Sequence, residues 1–251
     1  MIAYEEQALN ELQAWKQKMQ QGPSLSNRIA KSLQNKINGW IPEKVHQVIT
    51  VTIEKMVKAT LFGIKYTTSV TLPPDASLLL RESHVKKQIT LYQKTAAVEG
   101  AITGAGGILM GFADFPVLIG IKMKLLFNIA SLYGYDVKNY KERLYLLYIF
   151  QLAYSSQQRR NEIYLLLQDW DTYSSKLPDH AENFDWRIFQ QEYRDYIDLA
   201  KMAQLLPVIG APVGAIANYK LIAQLGDTAI NCFRMRIMKL NYLSPAFKLL
   251  Q

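Results

Sequence analysis

The sequence predicts an all-α protein with a single multi-helix domain, and three observations support this. Apolar residues recur at steps of three and four along most of the chain. No alternation of apolar and polar residues lasts long enough to predict a strand. Gly and Pro interrupt the periodic segments at intervals that fit short connections, which gives about eight to ten helices. With 251 residues, 49% of them hydrophobic, the chain can bury a substantial core, and we predict one domain over residues 1–251.

The N-terminal part, residues 1–84, is predicted to begin with three helices. The first runs from Tyr4 to Gln20, the second covers about residues 26–39, and the third begins at Pro42. The third helix is the most amphipathic and basic segment of the chain. It either packs its apolar face into its own domain or lies on an anionic membrane surface. Its membrane-surface candidates are the lysines opposite the apolar face, Lys44, Lys55, Lys58 and Lys65.

Two glycine-rich segments have the most unusual composition in the chain. In the first, four glycines are spaced so that one helix would place them on one face: Gly100, Gly104, Gly107 and Gly111. In the second, small residues recur four apart, at Gly210, Gly214 and Asn218. Glycine costs about 1 kcal/mol in a helix interior relative to Ala, so these faces indicate close helix packing. We predict that the helical segments near 100–112 and 208–222 pack centrally.

A membrane-inserting hairpin is the alternative for these segments. The run from Ala101 to Leu118 is apolar apart from Thr103 and Asp114. A membrane span needs about 20 apolar residues, and an Asp at its centre costs about 2.5–3.5 kcal/mol. The comparison favours core helices and leaves the hairpin open.

The remaining helices follow from capping and breaking signals. Asp114 before Phe115-Pro116 predicts a new helix start, and the helix should end at Tyr133-Gly134. Asn139 with Glu142 reads as a capping box for an apolar helix over about 144–153, which is followed by another to about 167. Residues 170–184 look like a polar connection before a helix capped by Asp185. A last helix carries Asp227, Phe233, Arg234 and Arg236.

Composition constrains the compartment and the partners. The net charge of +8 admits nucleic acid, anionic lipid or an acidic protein as a partner and selects none of them. A specific nucleic-acid signature is missing. Cys232 is the one cysteine, so no intramolecular disulfide forms. Because the N-terminus lacks a basic start with an apolar run behind it, we expect a cytoplasmic protein.

The sequence identifies no reaction and no cofactor. Its three histidines lack neighbouring Cys or carboxylate ligands, which argues against a His-based metal site or a nucleophilic pair. Polar residues in apolar surroundings are the better candidates. The simpler interpretation makes Asp114 a helix N-cap and Asp136 a turn residue. The alternative is a cleft that binds a cation or polar ligand, formed by four candidates, Asp114, Asp136, Asn218 and Asp227.

The order of several short motifs resembles one protein family. Gly106-Gly107 is followed by Asp114-Phe115-Pro116 and by Tyr133-Gly134-Tyr135-Asp136, and later by Leu206-Pro-Val-Ile-Gly210 and Phe233-Arg-Met-Arg236. Over about residues 85–240 this pattern resembles the EcsC family. The resemblance implies an intracellular helical protein of bacterial type, whose namesake is encoded beside the two subunits of an ABC exporter. It supplies no catalytic residues.

Two functional hypotheses follow. The first is a non-enzymatic accessory protein, peripheral to the inner face of the cell membrane. It would act with an anionic membrane surface or a membrane transporter complex, and its basic N-terminal region would make the contact. The second is a hydrolase, or a ligand- or metal-binding enzyme, that uses Asp114 and Asp136.

Overall fold

The computed structural model describes residues 2–21, 43–62, 70–105, 107–155, 157–185, 187, 189 and 211–243. Over these residues the chain is helical and has no β-strand, which confirms the predicted all-α class. The eight described α-helices are α1 (Ile2–Gln20), α2 (Glu43–Phe62), α3 (Leu78–Ala105), α4 (Gly107–Tyr133), α5 (Tyr140–Tyr154), α6 (Gln157–Gln168), α7 (Trp170–Ser175) and α8 (Ala211–Leu243). A 3-10 turn covers Ala181–Asn183.

Helix α5 forms the centre of the core. Twelve of its 15 residues are buried, as expected for a helix that is apolar on all sides. Two of its tyrosine hydroxyls donate hydrogen bonds to backbone carbonyls of α8. Tyr145 donates to Cys232 O at 2.9 Å and Tyr154 to Leu221 O at 3.0 Å. These two bonds show that α5 and α8 run antiparallel.

The three longest described helices, α3, α4 and α8, pack side by side. Helices α3 and α8 are antiparallel, because Glu82 bonds to Arg234 at one end and Gly100 meets Gly214 at the other. Helix α4 returns along α3 and places Asn128 Nδ2 at 3.1 Å from the hydroxyl of Tyr92.

Helix α2 packs its apolar face into the protein. Ile49, Ile53 and Val57 are buried, whereas the Lys55 and Lys58 side chains on the opposite face are exposed. The structure thus confirms the self-packing interpretation of this amphipathic helix. The side chain of Lys44, and Lys65 as a whole, lie outside the described residues.

The predicted start of a helix at Phe115-Pro116 is wrong. Helix α4 begins at Gly107 and continues through Pro116, which is inside it. A proline in a helix interior costs about 3 kcal/mol or more, and burial of the adjacent Phe115 and Leu118 offsets this cost. Asp114 is therefore not an N-cap. Residue 106 and the side-chain surroundings of residues 103–114 lie outside the described residues, so the predicted packing of the glycine face from Gly100 to Gly111 stays a prediction.

The predicted end of α4 is confirmed. Gly134 has φ of 91°, which favours glycine. The Gly134 N–H donates to Ser131 O and the Tyr135 N–H to Ala130 O, both at 3.0 Å, the pair of bonds that defines a Schellman cap. One stretch of this helix, Phe115–Tyr133, is long and apolar enough to cross a membrane, but 67% of it is buried in the fold.

The capping prediction for α5 is half right. Asn139 is the N-cap, and its side chain accepts from the Lys141 N–H at 2.9 Å. Glu142 does not complete a capping box, because the Asn139 N–H donates to Asp136 O and the Glu142 carboxylate binds Arg236 through two bonds of 2.6 and 2.9 Å.

Candidate functional site

The structure separates the four predicted ligand-binding residues. Asp114 lies near the start of α4 and Asp136 beyond its end, so about 19 residues of helix place them roughly 28 Å apart. Asn218 and Asp227 both lie on α8, nine residues and roughly 13 Å from each other. The four do not form one cleft. Binding of a ligand by any single one of them stays a prediction.

Asp136 acts as a turn residue. Its side chain is exposed, and its carboxylate accepts from the Lys138 N–H at 2.9 Å, which confirms the simpler interpretation of this aspartate. It also borders a cavity of about 700 Å³ lined by residues that include Arg81, Tyr135 and Lys138.

Arg81, which lines this cavity, binds four backbone carbonyl oxygens. Its guanidinium donates to Ala76 O, Pro73 O and Pro74 O before α3, and to Leu132 O at the end of α4, over distances of 2.8–3.3 Å. These bonds satisfy carbonyls that the helix end and the Pro73-Pro74 connection leave open. The main function of this side chain is therefore to hold the connection against α4.

A buried ion pair joins α1, α3 and α8 near this same end. Arg234 (3% exposed) forms two bonds to the fully buried Glu82 carboxylate, at 2.7 and 2.6 Å, and a third to Glu11 at 2.8 Å. Tyr4 and Tyr133 also donate to Glu82. Burial acts to lower the pKa of Arg234, but the hydrogen bonds and charge of Glu82 raise it above its ordinary value. No local pattern in the sequence points to Glu82, since its partner is 152 residues away.

Lys122 and Asn218 form a polar pair inside the protein. Both are fully buried, and the Lys122 amine lies 3.5 Å from Asn218 Oδ1 and from Leu118 O. Desolvation lowers the pKa of Lys122 to about 7. The pair lies beside the contact of Gly100 with Gly214, where a Cβ on Gly100 would lie 2.6 Å from Gly214 O and 2.7 Å from Asn218 Nδ2.

Exposed apolar side chains collect at the opposite end of α3, α4 and α8 from the ion pair. We call this set the apolar end. It comprises exposed residues in the last third of α3, the first half of α4 and the first third of α8: Val98, Ile102, Pro116, Val117, Ile216 and Tyr219. Among the other exposed large apolar side chains, Leu91 lies on the same face of α3, seven residues before Val98, and four lie elsewhere on the described surface, Val51, Leu79, Leu80 and Leu165.

The described residues contain no group of three or more His, Cys, Asp or Glu side chains that could hold a metal ion. The buried ion pair and the exposed apolar side chains lie at opposite ends of the same helices. They define the class of this protein as an α-helical bundle with an ion-paired end and an apolar end.

Comparison with known proteins gives the family. The EcsC protein family matches residues 6–238. "Protein EcsC" from Bacillus subtilis (strain 168) is 47% identical over 231 residues, which cover 92% of this chain and 95% of that protein. "Uncharacterized protein YdbA" from the same organism is 32% identical over 141 residues, 56% of this chain and 52% of its own length. No solved structure matches. The chain belongs to the EcsC protein family.

Proposed function

We propose that this EcsC-family protein is a non-enzymatic accessory protein that docks on the inner face of the cell membrane through its apolar end. The docking partner is the lipid surface, either alone or beside a membrane complex such as an ABC transporter. The observation that supports this proposal is the clustering of exposed apolar side chains from three helices at one end of the bundle.

The exposure at the apolar end is high for residues of this type. Val98 is 60% exposed, Ile102 53%, Val117 49%, Ile216 56% and Tyr219 45%. Single exposed apolar residues are ordinary on a protein surface, whereas several at a similar level on three neighbouring helices are typical of an interaction surface. Tyrosine is also enriched where proteins meet the membrane–water interface.

The basic helix α2 is less suited to the same task. Its apolar face is already buried in the core at Ile49, Ile53 and Val57, so it cannot enter lipid while the fold is intact. Lys55 and Lys58 remain exposed on the other face and offer charge alone. In the proposal, the apolar end replaces α2 as the main contact.

The enzyme hypothesis has less support. It required Asp114 and Asp136 to point into one pocket, and the length of α4 separates their positions by roughly 28 Å. Asp136 borders a cavity, but its carboxylate is already used by the turn at Lys138.

The test is flotation of the purified protein with liposomes that contain anionic phospholipid. The variant Val98→Ser/Ile102→Ser/Ile216→Ser removes the apolar contacts at exposed positions, where surface changes alter stability by about 0.5 kcal/mol or less each. We expect the wild type to float and this variant to stay in the soluble fraction.

The matched control is Leu79→Ser/Leu80→Ser/Leu165→Ser, which changes three side chains of similar exposure (48%, 41% and 52%) outside the apolar end. It should float like the wild type. Flotation of both variants to the same extent, or no flotation of the wild type, would show that the apolar end is not a membrane contact.

A further inference from the structure

We propose that three exposed lysines, Lys94, Lys124 and Lys220, form a belt around the base of the apolar end. In this inference, which rests on the proposed function, the belt binds the phosphate groups of anionic phospholipids and limits insertion to one leaflet.

Two of the lysines lie at one level because α3 and α8 are antiparallel. Lys94 is six residues before Gly100, and Lys220 is six residues after Gly214, the residue that Gly100 contacts. Each is therefore roughly 9 Å from that contact along its own helix, in the same direction, toward the ion-paired end.

The third lysine reaches the same level on α4. Lys124 is two residues beyond Lys122, whose amine contacts Asn218, and Lys220 is two residues beyond Asn218. A second contact, between α4 and α3, gives the same level. Lys124 is four residues before Asn128, which bonds to Gln88 and Tyr92 on α3. Both contacts place Lys124 level with Lys94, to within about one helical turn.

Each lysine shares a helix face with the apolar side chains. Lys94, Val98 and Ile102 are spaced by four residues, Val117 and Lys124 by seven, and Ile216 and Lys220 by four. All three lysine side chains are exposed. Long cationic side chains at such positions reach lipid headgroups while their methylenes cover apolar surface.

The height of the apolar end fits one leaflet. From Lys94 to the end of α3 at Ala105 there are 11 residues, or roughly 17 Å of helix. The hydrocarbon core of a bilayer is about 30 Å thick, so the apolar end reaches about to the middle of the bilayer when the lysines are at the headgroups. Glu99, the one acidic side chain among the described residues of this stretch of α3, is half-buried.

The start of α6 brings further positive charge to this level. The Tyr154 hydroxyl donates to Leu221 O, so α5 ends next to Lys220, and α6, which begins at Gln157, carries Arg159 and Arg160 in its first turn. Arg159 also pairs with Glu162 at 3.2 Å, which reduces its share of the attraction. The belt therefore has cationic side chains on four helices, and we rest the proposal on the three lysines.

The first experiment compares liposome affinity of the wild type and of Lys94→Gln/Lys124→Gln/Lys220→Gln. Each lysine near an anionic surface contributes roughly fivefold to affinity, so the triple variant should bind about 100-fold more weakly. Binding of the wild type should also weaken with salt. The control Lys55→Gln/Lys58→Gln changes exposed lysines on α2 and should bind like the wild type.

The second experiment measures depth. A spin label is attached at Ile102→Cys, with Leu165→Cys as the control; the native Cys232 is fully buried. On anionic liposomes, the Ile102 label should be accessible to oxygen and protected from a water-soluble relaxation agent, and the Leu165 label should remain in water.

The outcomes separate the two proposals. Equal binding of the wild type to neutral and anionic liposomes, or wild-type affinity in the Lys94/Lys124/Lys220 variant, would overturn the belt and leave membrane docking in place. If losing Lys55 and Lys58 abolishes binding instead, α2 makes the electrostatic contact and the belt is wrong. No binding of the wild type to any liposome overturns both proposals.

Discussion

Helices α3, α4 and α8 hold together differently at their two ends. At the ion-paired end, Glu82 and Arg234 form a buried bidentate pair, and Arg81 ties the chain before α3 to the last turn of α4. At the apolar end, Gly100 lies against Gly214 and side chains such as Ile102 are left in solvent. The same helices are therefore fastened by polar groups at one end and by close backbone packing at the other.

The two ends of these helices are expected to contribute to different properties, the ion-paired end to stability and the apolar end to docking. Buried charges that satisfy each other fix the position of a helix, but they offer little to a partner. The apolar end leaves apolar area exposed, which costs stability in water and is recovered when the area is covered. We therefore expect changes at the ion-paired end to alter folding, and surface changes at the apolar end to alter docking.

Breaking the ion pair should have the largest effect. Glu82→Gln keeps the shape of the side chain but leaves the buried charge of Arg234 without its main counter-charge, which costs about 3–5 kcal/mol in the free energy of unfolding. Urea denaturation measures the loss. Glu6→Gln, at an exposed position of α1, is the control and should change stability by about 0.5 kcal/mol or less. A loss below about 1 kcal/mol for Glu82→Gln would mean that the pair does not fasten this end.

A change at Lys122 tests whether the buried polar pair of Lys122 and Asn218 stabilises the fold, as the ion pair of Glu82 and Arg234 is expected to do. Its pKa is about 7 in the folded protein and about 10.4 when unfolded, so between these pH values the unfolded state binds a proton that the folded state lacks. The free energy of unfolding should rise with pH across this window, by up to about 1.4 kcal/mol per pH unit. Lys122→Met should remove this slope and stabilise the protein at pH 7 by about 1–4 kcal/mol.

Denaturation at several pH values between 7 and 9.5 measures the Lys122 effect. Lys124→Met, at an exposed position two residues along α4, is the control for replacing a lysine of this helix by methionine. If the Lys122→Met protein keeps the slope, another group titrates in this range.

Two glycines test how closely the helices approach near the apolar end. Gly100→Ala would place a Cβ at 2.6 Å from Gly214 O, a backbone atom that cannot swing aside, and we expect a loss of about 1–3 kcal/mol. Gly120→Ala meets nothing within 4 Å and should gain about 0.5–1 kcal/mol from helix propensity. Thermal denaturation of the two variants gives the difference; similar midpoints would show that the helices do not approach as closely as the structure indicates.

The smallest effect is expected at the Asn139 cap, near the ion-paired end. Asn139→Ala removes the acceptor for the Lys141 N–H and should cost about 1 kcal/mol. Asn139→Asp keeps an acceptor and should stay within a few tenths of a kcal/mol of the wild type. Urea denaturation distinguishes the two, and equal losses would mean that the cap bond contributes nothing.

Local signals predicted most of the described helices, but residues 170–184, predicted as a polar connection, contain α7 and a 3-10 turn. The burial of Ile49 and Ile53 on one face of α2 followed from spacing alone, and the end of α4 at Tyr133-Gly134 followed from a glycine suited to positive φ. Pro116 misled the prediction because a proline signals a helix start only when packing does not continue the helix, and burial of Phe115 and Leu118 continues it.

The candidate sites were predicted less well. Asp114 and Asp136 stood out because both carboxylates adjoin apolar segments, but α4 separates them. Glu82 did not stand out, because it lies in a basic stretch and its partner Arg234 is on the last described helix. The exposure of Ile102 and Ile216 was not predicted either. Both residues lie in glycine-rich segments that the sequence predicts to pack centrally.

The all-α class, the positions of most described helix ends and the family could be predicted from the sequence, because periodicity, caps and motif order are local properties of the chain. The tertiary structure was needed to show which charges are buried together and which apolar residues remain exposed. Those properties depend on which helices become neighbours, and contacts between residues more than 100 positions apart, such as Gly100 with Gly214, leave no local signal.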